Sequence, residues 1–140
     1  NRYAREKSLE LKELINIFKT PNCNFINIQY GDVSEEINNF SSKYKIEITT
    51  IKNLDLYKNL LGVASLLKNL DLFISVSNST AHLAGALGVK TLLIKPHNHA
   101  TYHYWNQPSS KTPWYSSIIL INKKTLNQKN NIIKNLDKLE

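Results

Sequence analysis

The sequence predicts an α/β domain, with a Rossmann-like, mainly parallel sheet and helices on both faces. Short apolar or β-branched runs alternate along the chain with segments in which apolar residues recur at helical spacing. The connections between these segments are short, and right-handed crossovers then place the helices above and below a parallel sheet. No internal repeat or linker divides the chain, so residues 1–140 are expected to form one domain.

Five segments have the composition of β-strands. Residues 24–30 alternate apolar and polar side chains and end at a Gly-Asp turn, and residues 45–51 are rich in β-branched side chains. Residues 71–76 and 90–94 are nearly continuous apolar runs, which is typical of strands buried on both faces. A last strand is predicted at residues 117–121.

Five segments are predicted to be helices, at residues 9–18, 34–40, 56–70, 79–87 and 125–139. The first follows Ser8, a good N-cap, and Pro21 closes the segment. A doubly wound unit normally begins with a strand, whereas this pattern begins with a helix. We therefore expect the first, often central, strand of the fold to be missing from this chain.

The composition is that of an ordinary globular protein. Hydrophobic residues make up 41% and charged residues 21%, which excludes a disordered chain. No run of about 18 apolar residues and no basic-then-apolar leader occurs, so neither a membrane span nor an export signal is expected. The single cysteine, Cys23, cannot form an internal disulfide, which fits a cytoplasmic location. The net charge is +7, but the lysines are scattered as on a solvated surface and no nucleic-acid motif accompanies them.

One polar segment lies where the predicted strand 71–76 runs into the predicted helix 79–87: Ser77, Asn78, Ser79 and Thr80. Ligands of open α/β sheets bind beyond the carboxyl ends of the strands, and the unpaired amides of a helix N-terminus attract phosphate oxygens. His82 falls in the first turn, where its ring can reach a ligand oxygen. In the alternative interpretation, Asn78 or Ser79 merely caps the helix and His82 packs against its neighbours.

Residues 70–88, with the sequence LDLFISVSNSTAHLAGALG, closely resemble the heptosyltransferase-like glycosyltransferases. The chain is most similar to the bacterial branch often joined to tetratricopeptide repeats. Residues 5–9 resemble the family's Arg-Ser segment, and residues 25–29 resemble its strand ending in Leu-Gln. Trp105 and the run Pro113-Trp114-Tyr115 resemble its tryptophan-rich loop, so the resemblance covers nearly the whole chain.

The resemblance implies that the chain is most of the C-terminal, donor-binding domain of a GT-B glycosyltransferase. Such enzymes transfer a sugar from a nucleoside diphosphate sugar without a metal or other cofactor, and the acceptor is a glycan, a lipid-linked glycan or a protein. Helix-terminal amides and basic side chains then stabilise the charge that builds on the departing diphosphate. The donor-binding residues implied by the match are Ser77, Asn78, Ser79, Thr80, His82, Arg5, Lys7 and Gln29.

In the family the general base comes from the N-terminal GT-B domain, so the catalytic residues are unknown and this piece alone is expected to bind without catalysing. Ser77-Asn78 stands where the family usually has Asp-Thr, which removes a carboxylate. Lys7 stands where arginine is usual, and a lysine cannot make a bidentate phosphate contact. These departures keep open an inactive, glycosyltransferase-like module that binds a protein. A third hypothesis, nucleic-acid binding, rests on the positive charge alone.

Three histidines lie close together in the predicted loop after residue 94: His97, His99 and His103. The His-x-His spacing can present two imidazoles to a metal, but no third ligand is evident and we predict no metal site. In the resembled family this loop closes over the donor, which makes His97, Asn98 and Trp105 candidate contacts. A plain surface role stays open for the histidines, and packing against the domain is favoured for the loop aromatics.

Overall fold

The computed structural model describes residues 8–95, 103–128 and 132–133 as an α/β fold. Within these ranges the strands are Phe25–Asn27 (β1), Ile48–Thr50 (β2), Phe73–Ser75 (β3), Thr91–Lys95 (β4) and Ile118–Asn122 (β5). The helices are a 3-10 turn Leu11–Leu14 that leads into Ile15–Phe18 (α1), then Ser34–Tyr44 (α2), Leu60–Lys68 (α3), Ser79–Ala86 (α4) and Lys123–Gln128 (α5). The predicted alternation and order of elements are confirmed, while most of the predicted helix 125–139 lies outside the described residues.

The strands form two parallel sheets where the sequence predicted one. β1 pairs with β2, with Phe25 opposite Ile48. In the second sheet β4 lies between β3 and β5, so that Thr91 is opposite both Phe73 and Ile118. Among the described residues no pairing joins β1 to β3. The break falls where the doubly wound order places its first strand.

Several predicted boundaries differ from the observed ones, and local hydrogen bonds and backbone conformation explain the two largest shifts at the start of an element. The predicted helix 56–70 begins only at Leu60, because the Asp55 carboxylate accepts the N–H groups of Tyr57 and Lys58 in a separate turn. Asn59 then caps α3 by accepting the Gly62 N–H at 2.8 Å. The predicted strand 45–51 begins only at Ile48, because α2 runs on to Tyr44 and ends at Lys45 in the left-handed conformation, with φ of 56°.

Helices cover both faces of the strands, as predicted. On one face Ile17 of α1 packs into a cluster with residues of β4, β5 and the C-terminal segment: Leu92, Ile94, Ile119, Ile121, Leu126 and Ile132. On the other face Val63 and Leu67 of α3 pack with Phe73, Ala84 and Val89. None of the helices in the described ranges is both long enough and apolar enough to cross a membrane.

A third cluster lies between α4 and the segment that precedes β5. Its members are Ala81, Leu93, Trp105, Ile118 and Leu120, with Tyr104 and Tyr115 packed against it. The same segment covers the outer edge of β5, because the Leu120 N–H donates to the Ser110 carbonyl at 2.7 Å and Lys111 pairs with Ile119 in an antiparallel bridge. Residues 103–115 therefore fix α4 and β5 relative to each other.

Candidate functional site

The predicted site lies at the carboxyl end of β3, where the chain turns into α4. Asn78 occupies the N-cap, and its Oδ1 accepts the Ala81 N–H at 2.9 Å. Its Nδ2 donates to the Ser75 Oγ at 3.0 Å, so one side chain ties the helix start to the strand end. The capping role that the sequence left open for Asn78 is confirmed.

Ser79 and Thr80 are the first two residues of α4. Ser79 is exposed and Thr80 is half-buried. Their backbone N–H groups have no acceptor within the helix, because the first turn of an α-helix lacks preceding carbonyls. Neither hydroxyl bonds to another group in the described ranges. The helix start thus presents two hydroxyls and two amides to a ligand.

Ser77 is held by the indole of Trp105, whose Nε1–H donates to the Ser77 Oγ at 3.0 Å. Trp105 is 0% exposed and belongs to the third hydrophobic cluster. Because the ring lies beneath the junction, it fixes Ser77 from the core side. The packing role favoured for this loop tryptophan is confirmed, whereas Trp114 is 55% exposed.

His82 lies one turn into α4 and is surrounded by aromatic rings. Its Nδ1 is 3.0 Å from the Tyr115 hydroxyl, and its ring centroid is 4.8 Å from that of Trp105 and 5.0 Å from that of Tyr104. Burial lowers the pKa of His82, because desolvation penalises the charged imidazolium. When the Tyr115 hydroxyl donates to Nδ1, the neutral ring carries its proton on Nε2 and can donate it to a ligand oxygen.

Acid is expected to destabilise the fold through His82. The unfolded chain binds a proton there with a pKa near 6.5, and the folded chain binds it more weakly. The stability contribution is therefore complete above about pH 6.5 and is lost as the pH falls toward the lowered folded pKa. Urea unfolding of the wild type and His82→Gln between about pH 8 and pH 5 measures this effect.

The wild type should lose more stability over this range than His82→Gln, while His103→Gln, which removes an exposed imidazole, should follow the wild type. Equal losses in the wild type and His82→Gln would show that other groups cause the acid sensitivity.

Gln29 lies just beyond β1, at the edge of a cleft formed where β1 and β2 end. Its N–H donates to the Asn27 Oδ1 at 2.9 Å, and its side chain is exposed. The cleft has a volume of about 220 Å³ and is also lined by Tyr30 and Tyr57, whose ring centroids are 5.1 Å apart. Sequence reasoning missed the two tyrosines, although Tyr30 does stand at the end of a predicted strand.

Lys95 is a second feature that sequence reasoning missed. It ends β4, two residues beyond Leu93, which is opposite Ser75 at the end of β3. Its Nζ donates to the Gln107 carbonyl at 3.0 Å, and no carboxylate pairs with it in the described ranges. Burial lowers its pKa, because desolvation penalises the ammonium. A bound anion beside its Nζ would relieve that cost.

The other predicted contacts, Arg5, Lys7, His97 and Asn98, lie outside the described residues, as does His99. No group of three or more His, Cys, Asp or Glu side chains is placed to hold a metal ion within the ranges that the structure describes.

The fold is a Rossmann-like α/β domain with a polar edge at the carboxyl ends of its parallel strands. The chain is similar to Protein FlbA of Caulobacter vibrioides, with 34% identity over 103 residues. The match takes in 73% of this chain but only 16% of FlbA, so the chain spans less than a fifth of that relative. No family model matches the sequence, and no solved structure matches it.

Proposed function

We propose that this chain is the donor-binding domain of a metal-independent glycosyltransferase that uses a nucleoside diphosphate sugar. The observation that carries the proposal is the junction of β3 and α4, where the Ser79 and Thr80 hydroxyls and amides lie open at a helix N-terminus. Such a helix end attracts phosphate oxygens through its amides and its dipole. The resemblance of residues 70–88 to heptosyltransferase-like enzymes supports the same ligand.

Two further groups suit a diphosphate at this junction. The His82 imidazole, kept neutral by burial, can donate from Nε2 to a phosphate oxygen without bringing a second charge. Lys95 lies at the end of β4, the strand that pairs with β3, and its ammonium lacks a carboxylate partner among the described residues. Preorganised donors of this kind stabilise the charge that develops on a departing diphosphate in place of a metal ion.

The cleft beside Gln29 suits the nucleoside. Phe25 of β1 and Ile74 of β3 pack against the same hydrophobic cluster, so both strands belong to the same layer of the domain. The Tyr30 and Tyr57 rings offer faces on which a base can stack, and Asn27 and Gln29 offer amide groups to its polar edge. In this arrangement the diphosphate lies at α4 and the base lies at β1.

The remaining parts of the proposal concern the whole protein. An N-terminal GT-B domain supplies the general base, helical repeats adjoin the enzyme, and the acceptor is a glycan, a lipid-linked glycan or a protein. The enzyme acts in the cytoplasm and needs no cofactor beyond its donor substrate.

One observation favours the second candidate, an inactive interaction module. Asn78 stands where the family has a threonine next to an aspartate, and its amide is already shared between the Ala81 N–H and the Ser75 hydroxyl. Fewer of its polar atoms are then free to contact a donor.

Binding of one nucleoside diphosphate is the expected result of a calorimetric and thermal-shift screen against UDP, GDP, ADP and CMP, with and without their sugars. The Ser79→Ala, His82→Ala double variant removes one hydroxyl and one imidazole from the site, and we expect about tenfold or more weaker binding, which is about 1.4 kcal/mol. Ser42→Ala, an exposed position on α2, is the matched control and should bind like the wild type.

Absence of binding by every nucleotide, with circular dichroism showing a folded chain, would reject the donor site in favour of the interaction module. Binding of nucleic acid that falls steeply with added salt would instead revive the third hypothesis.

A further inference from the structure

Trp114 is a large aromatic side chain that the fold holds in place without burying it. Its indole is 55% exposed, whereas that of Trp105 is 0% exposed. The Trp114 N–H donates to the Thr112 Oγ1 at 3.4 Å, and that hydroxyl donates to the Tyr104 carbonyl at 3.0 Å. Thr112 is itself buried. The backbone at Trp114 is therefore tied to the backbone of Tyr104, while the indole stays at the surface.

Two further rings contact the Trp114 indole. Its centroid lies 5.3 Å from that of Tyr104, at an interplanar angle of 69°, and 6.2 Å from that of His103, at 78°. The His103 and Tyr104 centroids are 3.9 Å apart, so the three rings form one contact group. Edge-to-face contacts of this kind favour one orientation of a ring. We call this group, His103, Tyr104 and Trp114, the aromatic platform.

The aromatic platform is continuous with the candidate site at the start of α4. The Tyr104 ring, whose centroid is 5.3 Å from that of Trp114, is also 5.0 Å from the His82 ring, which places the Trp114 ring within about 10 Å of His82. A phosphate group and a sugar ring joined to it can span a distance of this size. A ligand held at the start of α4 can therefore extend onto Trp114.

The surroundings of Trp114 favour a small polar ligand with one apolar face over a protein partner. Among the described residues, every other exposed large apolar side chain belongs to residues 26–61, whereas Trp114 belongs to the segment that covers the outer edge of β5. A protein interface has a broader apolar core than one ring provides. The segment around Trp114 instead exposes polar residues: His103, Asn106, Ser109 and Lys111.

We propose that the aromatic platform binds a sugar ring, which stacks on Trp114. One face of a pyranose carries C–H groups with partial positive charge, and these are attracted to the negative face of an aromatic ring. The hydroxyls at its rim need hydrogen-bond partners, and the exposed His103 imidazole can both donate to and accept from them. The ring comes either from the donor sugar or from a free glycan, and the first of these sources rests on the proposed function.

The indole N–H signals in the NMR spectrum of the protein test the proposal. The chain has two tryptophans and gives two such signals, and Trp114→Phe identifies the Trp114 signal by removing it. The Trp105 indole donates to Ser77, so its signal reports on the start of α4. The protein is titrated with UDP, GDP, ADP and CMP, with their nucleotide sugars, and separately with methyl glucoside, methyl galactoside, methyl mannoside and cellobiose. We expect ligands that contain a sugar ring of the matching kind to shift the Trp114 signal.

The titrations distinguish the two sources of the sugar. A Trp114 shift that a nucleotide sugar produces and its free nucleotide does not assigns the donor sugar to the platform. A shift with a methyl glycoside or cellobiose assigns a free glycan, and this result supports the platform even when no nucleotide binds.

Two results would overturn the proposal. One is a Trp114 signal that no sugar moves, and the other is an equal shift with the free nucleotide, because the nucleotide and not the sugar would then occupy the platform. In both cases a Trp105 signal that moves with the nucleotide would leave the proposed diphosphate site intact.

Replacements at Trp114 separate stacking from simple apolar contact. Trp114→Phe keeps an aromatic face, and Trp114→Leu keeps an apolar side chain without one. We expect Trp114→Leu to weaken sugar binding about tenfold or more, as for the loss of one stacked ring, and Trp114→Phe to weaken it less than about threefold. Calorimetry with the sugar that shifts the Trp114 signal measures both. Equal losses in the two variants would contradict stacking, and an exposed position such as Trp114 leaves both variants folded.

Discussion

Replacing Trp105 with alanine is expected to lower the free energy of unfolding by about 3–5 kcal/mol, which is the range for large aromatic residues removed from a core. The indole is 0% exposed and packs with Ala81, Leu93 and Leu120. Truncation would leave a cavity between α4 and the strands, and it would also remove the hydrogen bond that holds Ser77. Urea unfolding followed by circular dichroism gives the loss directly.

Two control variants separate the parts of this effect. Trp105→Phe keeps an aromatic ring in the cluster but loses the indole N–H to the Ser77 Oγ, so a smaller loss of about 1–2 kcal/mol is expected. Trp114→Ala removes the other tryptophan of the loop, which is 55% exposed, and should cost under about 1 kcal/mol. Equal losses from Trp105→Ala and Trp114→Ala would show that Trp105 does not carry the packing assigned to it.

Gly85→Ala is expected to destabilise the protein by about 1–3 kcal/mol, the usual range for overpacking a core. Alanine in a helix interior ordinarily gains up to about 1 kcal/mol over glycine, so propensity alone predicts the opposite sign. A Cβ at this position would lie 2.6 Å from Tyr115 Cγ and 2.9 Å from Ile118 Cδ1. The ring must move, and its hydroxyl bond to His82 moves with it.

A double-mutant cycle with Tyr115→Ala checks the cause. When the ring is absent, the flexible end of Ile118 is the close neighbour that remains and it can turn away, so Gly85→Ala should become neutral or stabilising. The coupling is read from urea unfolding of the four variants. A loss that is the same with and without the Tyr115 ring would place the strain elsewhere.

The sequence predicts the element types and their order, because the buried runs 71–76 and 90–94 and the helical spacings are local patterns. The sequence does not predict those element boundaries that are set by one side chain or one backbone angle. The Asp55 turn delays α3, and the left-handed Lys45 ends α2 and delays β2. The division into two sheets depends on hydrogen bonds between distant segments, which no local pattern contains.

The candidate site, too, was predictable from the sequence only in part. The junction at Ser79 can be predicted, because the strand end, the polar segment and the helix start are contiguous in the sequence. The Trp105–Ser77 hydrogen bond, the Tyr30–Tyr57 cleft and the position of Lys95 at the end of the strand beside β3 join residues far apart in sequence. Strand register and tertiary packing bring these residues together, and neither can be predicted from local patterns in one sequence.

The hydrophobic cluster around Ile17 has a consequence for how the chain folds during its synthesis. It joins Ile17 to Ile119 and Ile121, roughly a hundred residues later, and Lys123 Nζ bonds Glu13 Oε1 at 2.8 Å across the same distance. The ribosome releases α1 before β5, so the apolar face of α1 stays exposed to solvent until β5 has emerged. Long loop closure of this kind slows folding and prolongs exposure to aggregation and to chaperones. The last quarter of the chain thus decides when the first quarter becomes protected.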